Sequence, residues 1–209
     1  MKLLLVGATG LVGSYVLQQA LQDPRVDEVV APARRALPAQ PGLLAPVIDF
    51  DHLPEDADWW KVDAVICTLG TTIRTAGSQA AFRRVDHDYP LAVARIAHRH
   101  GVRTFALNSA KGADASSRIF YSRVKGELER ELAGVGFDSL TYVRPGLIGG
   151  PRQERRTGES VATLLLTAIG PVLPRSWRIN PAERIAEALI DAALRPRSGI
   201  HVVSADQLN

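Results

Sequence analysis

Short apolar runs alternate with longer amphipathic stretches along the chain, which is the pattern of a parallel α/β sheet. The short runs are nearly continuous in Val, Ile, Leu and Ala, as expected of strands that helices cover on both faces. The predicted strands are residues 3–6, 29–31, 46–48, 64–68, 104–107, 140–143 and 200–203. The predicted helices are residues 11–21, 79–100, 117–133, 160–168 and 182–194.

A glycine-rich segment, GATGLVG (residues 7–13), directly follows the first predicted strand and precedes the first predicted helix. Glycine permits the tight turn, and it lets the backbone approach a pyrophosphate at the helix N-terminus. The context favours a dinucleotide site over a tight turn without a ligand. The residues expected to hold the dinucleotide here are Gly7, Thr9, Gly10, Leu11, Val12 and Gly13.

The fold class predicted from this order is a doubly wound parallel sheet of the Rossmann type, with a small C-terminal extension. The 209 residues are expected to form a single NAD(P)-binding domain. Residues 146–180 have an irregular pattern rich in Gly, Pro and Arg, and are interpreted as an excursion on the substrate side.

The end of the second predicted strand favours NADP(H) over NAD(H). Asp27 and Glu28 precede this strand and would lie at the wrong end to hold a ribose 2′-hydroxyl, whereas Arg34 and Arg35 follow it. A guanidinium group matches the geometry of phosphate oxygens, although both arginines could also be solvated surface residues. Asp49 could accept a hydrogen bond from adenine with Phe50 nearby, or it could cap a turn.

Candidate chemistry lies in Tyr121 and Lys125, four residues apart on one face of a predicted helix. The lysine can lower the phenol pKa, and the phenol can then exchange a proton during hydride transfer. Ser109, at the end of the fifth strand, can hydrogen-bond a substrate carbonyl oxygen, or it can cap the strand. The backbone expected to border the nicotinamide includes Leu69, Gly70, Pro145, Leu147 and Ile148.

Charge and cysteine usage narrow the classes of partner. The net charge of +3 comes from 21 Arg and 4 Lys spread along the chain, without the basic stripe of a nucleic-acid-binding surface. No apolar run reaches the ~20 residues that a membrane span needs. We therefore expect a small-molecule substrate, with neither nucleic acid nor membrane as partner. One cysteine and five scattered histidines predict no metal site, and a reducing, cytoplasmic location.

Taken together, the motifs resemble the Tat-interacting-protein (CC3-like) family of atypical short-chain dehydrogenases, over nearly the whole chain. The resemblance implies a Rossmann fold, NADPH binding, and a catalytic triad of Ser109, Tyr121 and Lys125. One departure is Ala110, where relatives look like serine. The segments that carry the resemblance are GATGLVG (7–13), RR (34–35), DF (49–50), CTLGTT (67–72), VD (85–86), SAKGAD (109–114), YSRVKGE (121–127) and RPG (144–146).

Two functions follow as expectations. The first is an NADP(H)-dependent oxidoreductase acting on a small carbonyl or alcohol, with Tyr121 as general acid and base. The second is an NADPH-sensing regulatory protein, because mammalian members of the family also bind protein partners. By analogy with the wider family, the Tyr121 helix could provide the face of a homodimer.

Overall fold

A computed structural model describes residues 1–149 and 179–209 of the chain. The strands are β1 (Lys2–Val6), β2 (Glu28–Val30), β3 (Leu43–Leu44), β4 (Ala64–Cys67), β5 (Thr104–Asn108), β6 (Ser139–Arg144), β7 (Ile148–Gly149), β8 (Asn180–Pro181) and β9 (Gly199–Ser204). Seven of them form one parallel sheet in the order β3-β2-β1-β4-β5-β6-β9, and β7 pairs with β8. The predicted doubly wound sheet is confirmed, and its strand order reverses between β1 and β4, where such folds bind ligands.

Helices cover both faces of this sheet. They are α1 (Leu11–Gln22), α2 (Ile73–Ala76), α3 (Gln79–Arg83), a π-turn (Arg84–Asp88), α4 (Tyr89–Arg99), α5 (Phe120–Ala133) and α6 (Ala182–Leu194), with 3₁₀ turns at Asp58–Trp60 and Ala205–Leu208. Leu3 and Leu5 of β1 pack with α1 and α6, whereas Leu4 and Val6 pack with α4 and α5. The alternation explains why this strand is apolar at successive positions.

The third strand was predicted at residues 46–48, and that position is wrong. The strand is Leu43–Leu44, which pairs with Val29 and Val30, whereas Val47 makes a single bridge to Ala33. Pro46 has no N–H to donate to a ladder, so the apolar run around it does not extend the sheet.

Two predicted helices also differ in detail. The helix predicted over residues 79–100 contains the π-turn Arg84–Asp88. Pro90 cannot donate to the carbonyl of Asp86 four residues earlier, and the wider turn lies at that point. The helix predicted from residue 117 begins at Phe120, because the Ser117 hydroxyl accepts the N–H of Ile119 and forms a local turn instead.

The irregular excursion predicted over residues 146–180 is described only at its two ends. There, Ile148 pairs with Asn180, and the Asn180 side chain accepts the N–H of Gly146 and donates to the carbonyl of Ala205. The helix predicted at residues 160–168 lies outside the described residues. Among the helices within residues 1–149 and 179–209, none has the length and apolar character needed to cross a membrane.

Candidate functional site

The glycine loop between β1 and α1 is packed so closely that two of its glycines have no room for a side chain. Gly7 has a φ of 93°, a backbone region that favours glycine. A Cβ on Gly13 would lie 2.1 Å from the carbonyl oxygen of Gly7 and 2.7 Å from Oγ1 of Thr68. These contacts hold the loop against the end of β4.

Gly10 differs from its two neighbours because the protein itself leaves space there. A Cβ on Gly10 would lie 3.4 Å from its nearest neighbour, the carbonyl oxygen of Gly7, and its φ of −78° suits any residue. Gly10 and Thr9 are exposed, and no side chain caps the first turn of α1. Uncapped N–H groups and open space at a helix N-terminus fit the pyrophosphate of a dinucleotide.

Arg34 and Arg35 lie just beyond the carboxyl end of β2, next to the bridge between Ala33 and Val47. Both side chains are exposed, and neither forms a hydrogen bond or ion pair with another residue in the described part of the chain. Two unpaired guanidinium groups after β2, the strand that pairs with β1, fit an additional phosphate.

Asp49 is already engaged in the turn that it begins. Its carboxylate accepts the N–H of Asp51 at 2.9 Å and contacts Nδ1 of His52 at 2.9 Å. These hydrogen bonds lower the pKa of Asp49 and raise that of His52. Phe50 is buried and lies 5.5 Å from the Tyr89 ring, whose hydroxyl donates to Asp51. Asp49 therefore acts as a turn residue, with lone pairs still available to a ligand.

Lys125 on α5 forms a buried ion pair. Its Nζ lies 2.8 Å from Oδ1 of Asp86 in the π-turn, and the two side chains are 4% and 1% exposed. The other carboxylate oxygen of Asp86 accepts the N–H of Thr71 at 2.7 Å. Burial opposes the charge on Lys125, but attraction to Asp86 and Tyr121, together with the hydrogen bond to Asp86, outweighs it and raises the lysine pKa.

Tyr121 lies one turn before Lys125 on the same face of α5, and its ring is 5.7 Å from that of Phe82. The residue is 37% exposed, and its hydroxyl has no hydrogen-bond partner among the described residues. Burial raises the pKa of the phenol, Lys125 lowers it and Asp86 raises it again, so that the net direction is upward. The expected effect of Lys125 on the phenol is present, but it is outweighed.

The third predicted catalytic residue is turned toward a different group. The Ser109 hydroxyl is buried and donates to the carboxylate of Glu129, which is also paired with Arg144. Tyr142 adds a hydrogen bond from its hydroxyl to the backbone carbonyl of Glu129. In the described residues, Ser109 therefore belongs to a buried polar network and makes no hydrogen bond with Tyr121.

The backbone expected around the nicotinamide gathers at the carboxyl edge of the sheet. Leu69 and Gly70 follow β4, and a Cβ on Gly70 would lie 3.4 Å from Oδ1 of Asp86. Pro145, Leu147 and Ile148 follow β6, and Leu147 is 58% exposed. The segment after β4 borders the Lys125–Asp86 pair, and the segment after β6 lies at the same edge of the sheet.

Sequence reasoning did not assign roles to Asp86, Glu129 or Asn180, which are buried polar residues that hold this edge together. Asp86 carried a signal, because it interrupts the apolar face of a predicted helix between Phe82 and Tyr89. A charged residue on such a face requires a buried partner. Nothing in the sequence, however, indicated which cation that partner would be.

Comparison with known proteins agrees with this geometry. Residues 3–129 match the model of the NAD dependent epimerase/dehydratase family. The chain belongs to this family. HTATIP2 from Rattus norvegicus is 36% identical, with 93% of this chain and 82% of that protein covered. The fmp52 protein from Emericella nidulans is 32% identical, with 93% and 88% covered. The resemblance to the Tat-interacting-protein family is thereby confirmed.

Solved structures of similar fold contain NAD. MoeE5 in complex with UDP-glucuronic acid and NAD has a TM-score of 0.74 at 17% identity, covering 97% of this chain and 75% of that one. The UDP-glucose 4-epimerase of Thermus thermophilus in complex with NAD has a TM-score of 0.69 at 18% identity, covering 98% and 78%. At such identities these epimerase/dehydratase-type structures support the fold alone.

The relatives correct one expectation. The fmp52 proteins of Emericella nidulans, Coccidioides immitis and Aspergillus terreus are named as mitochondrial. This finding contradicts the cytoplasmic location expected from the single cysteine. A reducing environment, which is all that one cysteine indicates, does not distinguish between these compartments.

Proposed function

We propose that this member of the epimerase/dehydratase family is an NADP(H)-dependent oxidoreductase acting on a small carbonyl or alcohol. The observation that carries the proposal is the arrangement of Tyr121 and Lys125 one helical turn apart on α5, with the Lys125–Asp86 pair next to Gly70 at the carboxyl edge of the sheet. An exposed phenol next to a buried ammonium is suited to exchanging a proton with a substrate oxygen. A bound nicotinamide would supply or accept the hydride at the same edge.

The preference for NADP(H) is supported by Arg34 and Arg35. Their guanidinium groups are exposed and unpaired in the described part of the chain, at the end of β2 where the ribose of a bound dinucleotide would lie. Glu28, an acid that could favour NAD(H), is instead paired with Lys2 at the start of that strand. A charge-assisted contact to a 2′-phosphate contributes about 1.5–3 kcal/mol, or about ten- to a hundredfold in affinity.

In the proposed reaction each group of the chain has a separate task. Tyr121 donates a proton to the carbonyl oxygen of the substrate, or removes one from the alcohol. Lys125 is held by Asp86, and its charge acts on the phenol. The segments that follow β4 and β6 shape the edge on which substrate and nicotinamide would meet.

The test is calorimetric titration of the purified protein with NADPH and with NADH. We expect tighter binding of NADPH, and a loss of that preference in Arg34→Ala. Arg99→Ala is the matched control, because Arg99, at the end of α4, is an exposed arginine that is already paired with Glu55. An unchanged NADPH affinity in Arg34→Ala would overturn the assignment of the phosphate site.

Turnover is tested separately on a panel of small carbonyl compounds with NADPH. Tyr121→Phe is expected to lose about a hundredfold or more of the rate while retaining NADPH binding, because it removes only the proton donor. Equal rates for Tyr121→Phe and the unsubstituted protein would exclude the proposed role of the phenol.

A second candidate function is an NADPH-sensing regulator with little turnover. One observation favours it: the Ser109 hydroxyl is committed to Glu129, and Ala110 next to it has no hydroxyl to polarise a carbonyl oxygen. Tight NADPH binding without turnover of any compound on the panel would support the regulator. Turnover that depends on Tyr121 would exclude it.

A further inference from the structure

The carboxylate of Asp86 connects three parts of the proposed site. One oxygen contacts Nζ of Lys125 at 2.8 Å, and the other accepts the N–H of Thr71 at 2.7 Å. The π-turn is thereby tied to α5 and to the segment that follows β4. Asp86 and Lys125 are each more than nine-tenths buried, so water screens this pair little.

The π-turn accounts for the inward position of Asp86. Both Asp86 and its neighbour His87 are buried, although they are consecutive in sequence. His87 contacts different carboxylates, those of Asp88 and Glu131. Asp86 is therefore the carboxylate that faces Lys125, and His87 belongs to a separate cluster.

The charged and titratable groups around Tyr121 come from three elements. Lys125 lies on α5, Asp86 lies in the π-turn, and Cys67 at the end of β4 contributes to the surroundings of Lys125. Burial raises the pKa of the Cys67 thiol to about 11, so this group is neutral at ordinary pH. The phenol therefore faces one positive and one negative charge, and the carboxylate of Asp86 opposes the effect of the Lys125 ammonium.

We propose that Asp86 is a positioning residue that fixes Lys125 and offsets its charge, so that Tyr121 stays a neutral phenol and serves as a proton donor in carbonyl reduction. This inference rests on the proposed function and specifies carbonyl reduction as the direction of the reaction. In that reduction a bound NADPH would supply the hydride that the carbonyl carbon accepts as its C=O π bond opens, leaving NADP⁺. The carbonyl oxygen takes the proton of Tyr121, and the phenol regains a proton from solvent.

An unpaired ammonium would give the opposite preference. With Lys125 charged and Asp86 absent, the phenolate form of Tyr121 would be stabilised. A phenolate is the base that alcohol oxidation requires, whereas carbonyl reduction requires the phenol. The carboxylate of Asp86 thus favours the neutral phenol form of Tyr121, which is the form that carbonyl reduction requires.

The test is an NMR titration of the cofactor-free protein carrying ¹³C at Cζ of its four tyrosines. Tyr121→Phe identifies the resonance of Tyr121. In the unsubstituted protein we expect Tyr121 to remain a neutral phenol beyond the ordinary tyrosine pKa of about 10. In Asp86→Asn its titration midpoint should move to lower pH, because Lys125, which attraction to the forming phenolate keeps protonated, is no longer offset by a carboxylate.

Asp88→Asn is the matched control, because Asp88 lies in the same π-turn but is paired with His87. It should leave the Tyr121 midpoint unchanged. An unchanged or higher midpoint in a folded Asp86→Asn protein would overturn the inference. Should that variant fail to fold, the unsubstituted protein can still overturn the inference, since a Tyr121 midpoint below about 10 would show an uncompensated lysine charge.

The result is independent of whether the proposed function holds. No cofactor or substrate is present during the titration, so failure to bind NADPH leaves its outcome unaffected. Conversely, a low midpoint would refute the role of Asp86 while NADPH binding and turnover remained intact.

Discussion

Gly10 and Gly13 lie three residues apart in the glycine loop, and their substitution by alanine should have different consequences. In Gly13→Ala the new Cβ would lie 2.1 Å from the carbonyl oxygen of Gly7, so backbone must move. Overpacking of this kind costs about 1–3 kcal/mol. A loss of 1 kcal/mol lowers Tm by about 2–4 °C in a domain of this size, so we expect a fall of about 2–12 °C.

In Gly10→Ala the Cβ meets only the Gly7 carbonyl oxygen, at 3.4 Å. Alanine is a poorer N-cap than glycine, but it also lowers the entropy of the unfolded chain. These effects oppose one another, so the stability should stay within about 1 kcal/mol of the unsubstituted protein. The methyl group would, however, occupy the space at the N-terminus of α1 that a pyrophosphate needs.

We therefore expect Gly10→Ala to keep its Tm and to lose at least about tenfold in NADPH affinity, which corresponds to about 1.4 kcal/mol. Thermal unfolding and calorimetric titration of both variants measure the two effects. Undiminished NADPH binding by folded Gly10→Ala would refute the pyrophosphate position. A Gly13→Ala protein as stable as the original would refute the packing argument.

Two further predictions concern stability. Gly126→Ala should lower the free energy of unfolding by about 1–3 kcal/mol, because its Cβ would lie 2.1 Å from the backbone N of Ala115. Gly134→Ala, at the C-cap of the same helix and with its nearest contact at 3.4 Å, is the control in chemical denaturation. Burial raises the pKa of Cys67 to about 11, whereas the thiol of the unfolded chain has a pKa of about 8.5. The free energy of unfolding should therefore fall as the pH rises from about 8.5 toward 11. Cys67→Ala should reduce the slope of the free energy of unfolding against pH in that range.

The fold could be predicted from sequence where a single physical signal was sufficient. The bounds of α6 coincide with the predicted residues 182–194, because its apolar positions repeat with helical spacing and bury Ile185 and Leu189 against the sheet. The glycine loop was equally readable, since strand, glycines and helix follow one another directly. The displaced third strand shows how two signals can conflict, because the apolar run suggested a strand over residues 46–48 although Pro46 lacks the N–H donor that a ladder needs.

The side-chain partners within the site could not be predicted in the same way. The resemblance to the Tat-interacting-protein family implied that Ser109 and Tyr121 act together in a catalytic triad. The partner of Ser109 is instead Glu129, which is 20 residues further along the chain and two turns beyond Tyr121 on α5. A helical repeat places Tyr121, Lys125 and Glu129 on one face, but it does not say which of them a buried hydroxyl will reach.

The proton chemistry of the site therefore depends on how three elements meet. Lys125 alone would favour a phenolate at Tyr121, as the motif suggests. The π-turn brings a carboxylate to the same ammonium, and the N–H of Thr71 fixes that carboxylate from the segment after β4. The motif names the phenol and the lysine correctly as residues of one helix face, but it does not show that Asp86 opposes the effect of the lysine charge on the phenol. In a relative with the same Tyr-x-x-x-Lys spacing and no acid at this position, the lysine charge would be unopposed and the phenol would lose its proton at lower pH.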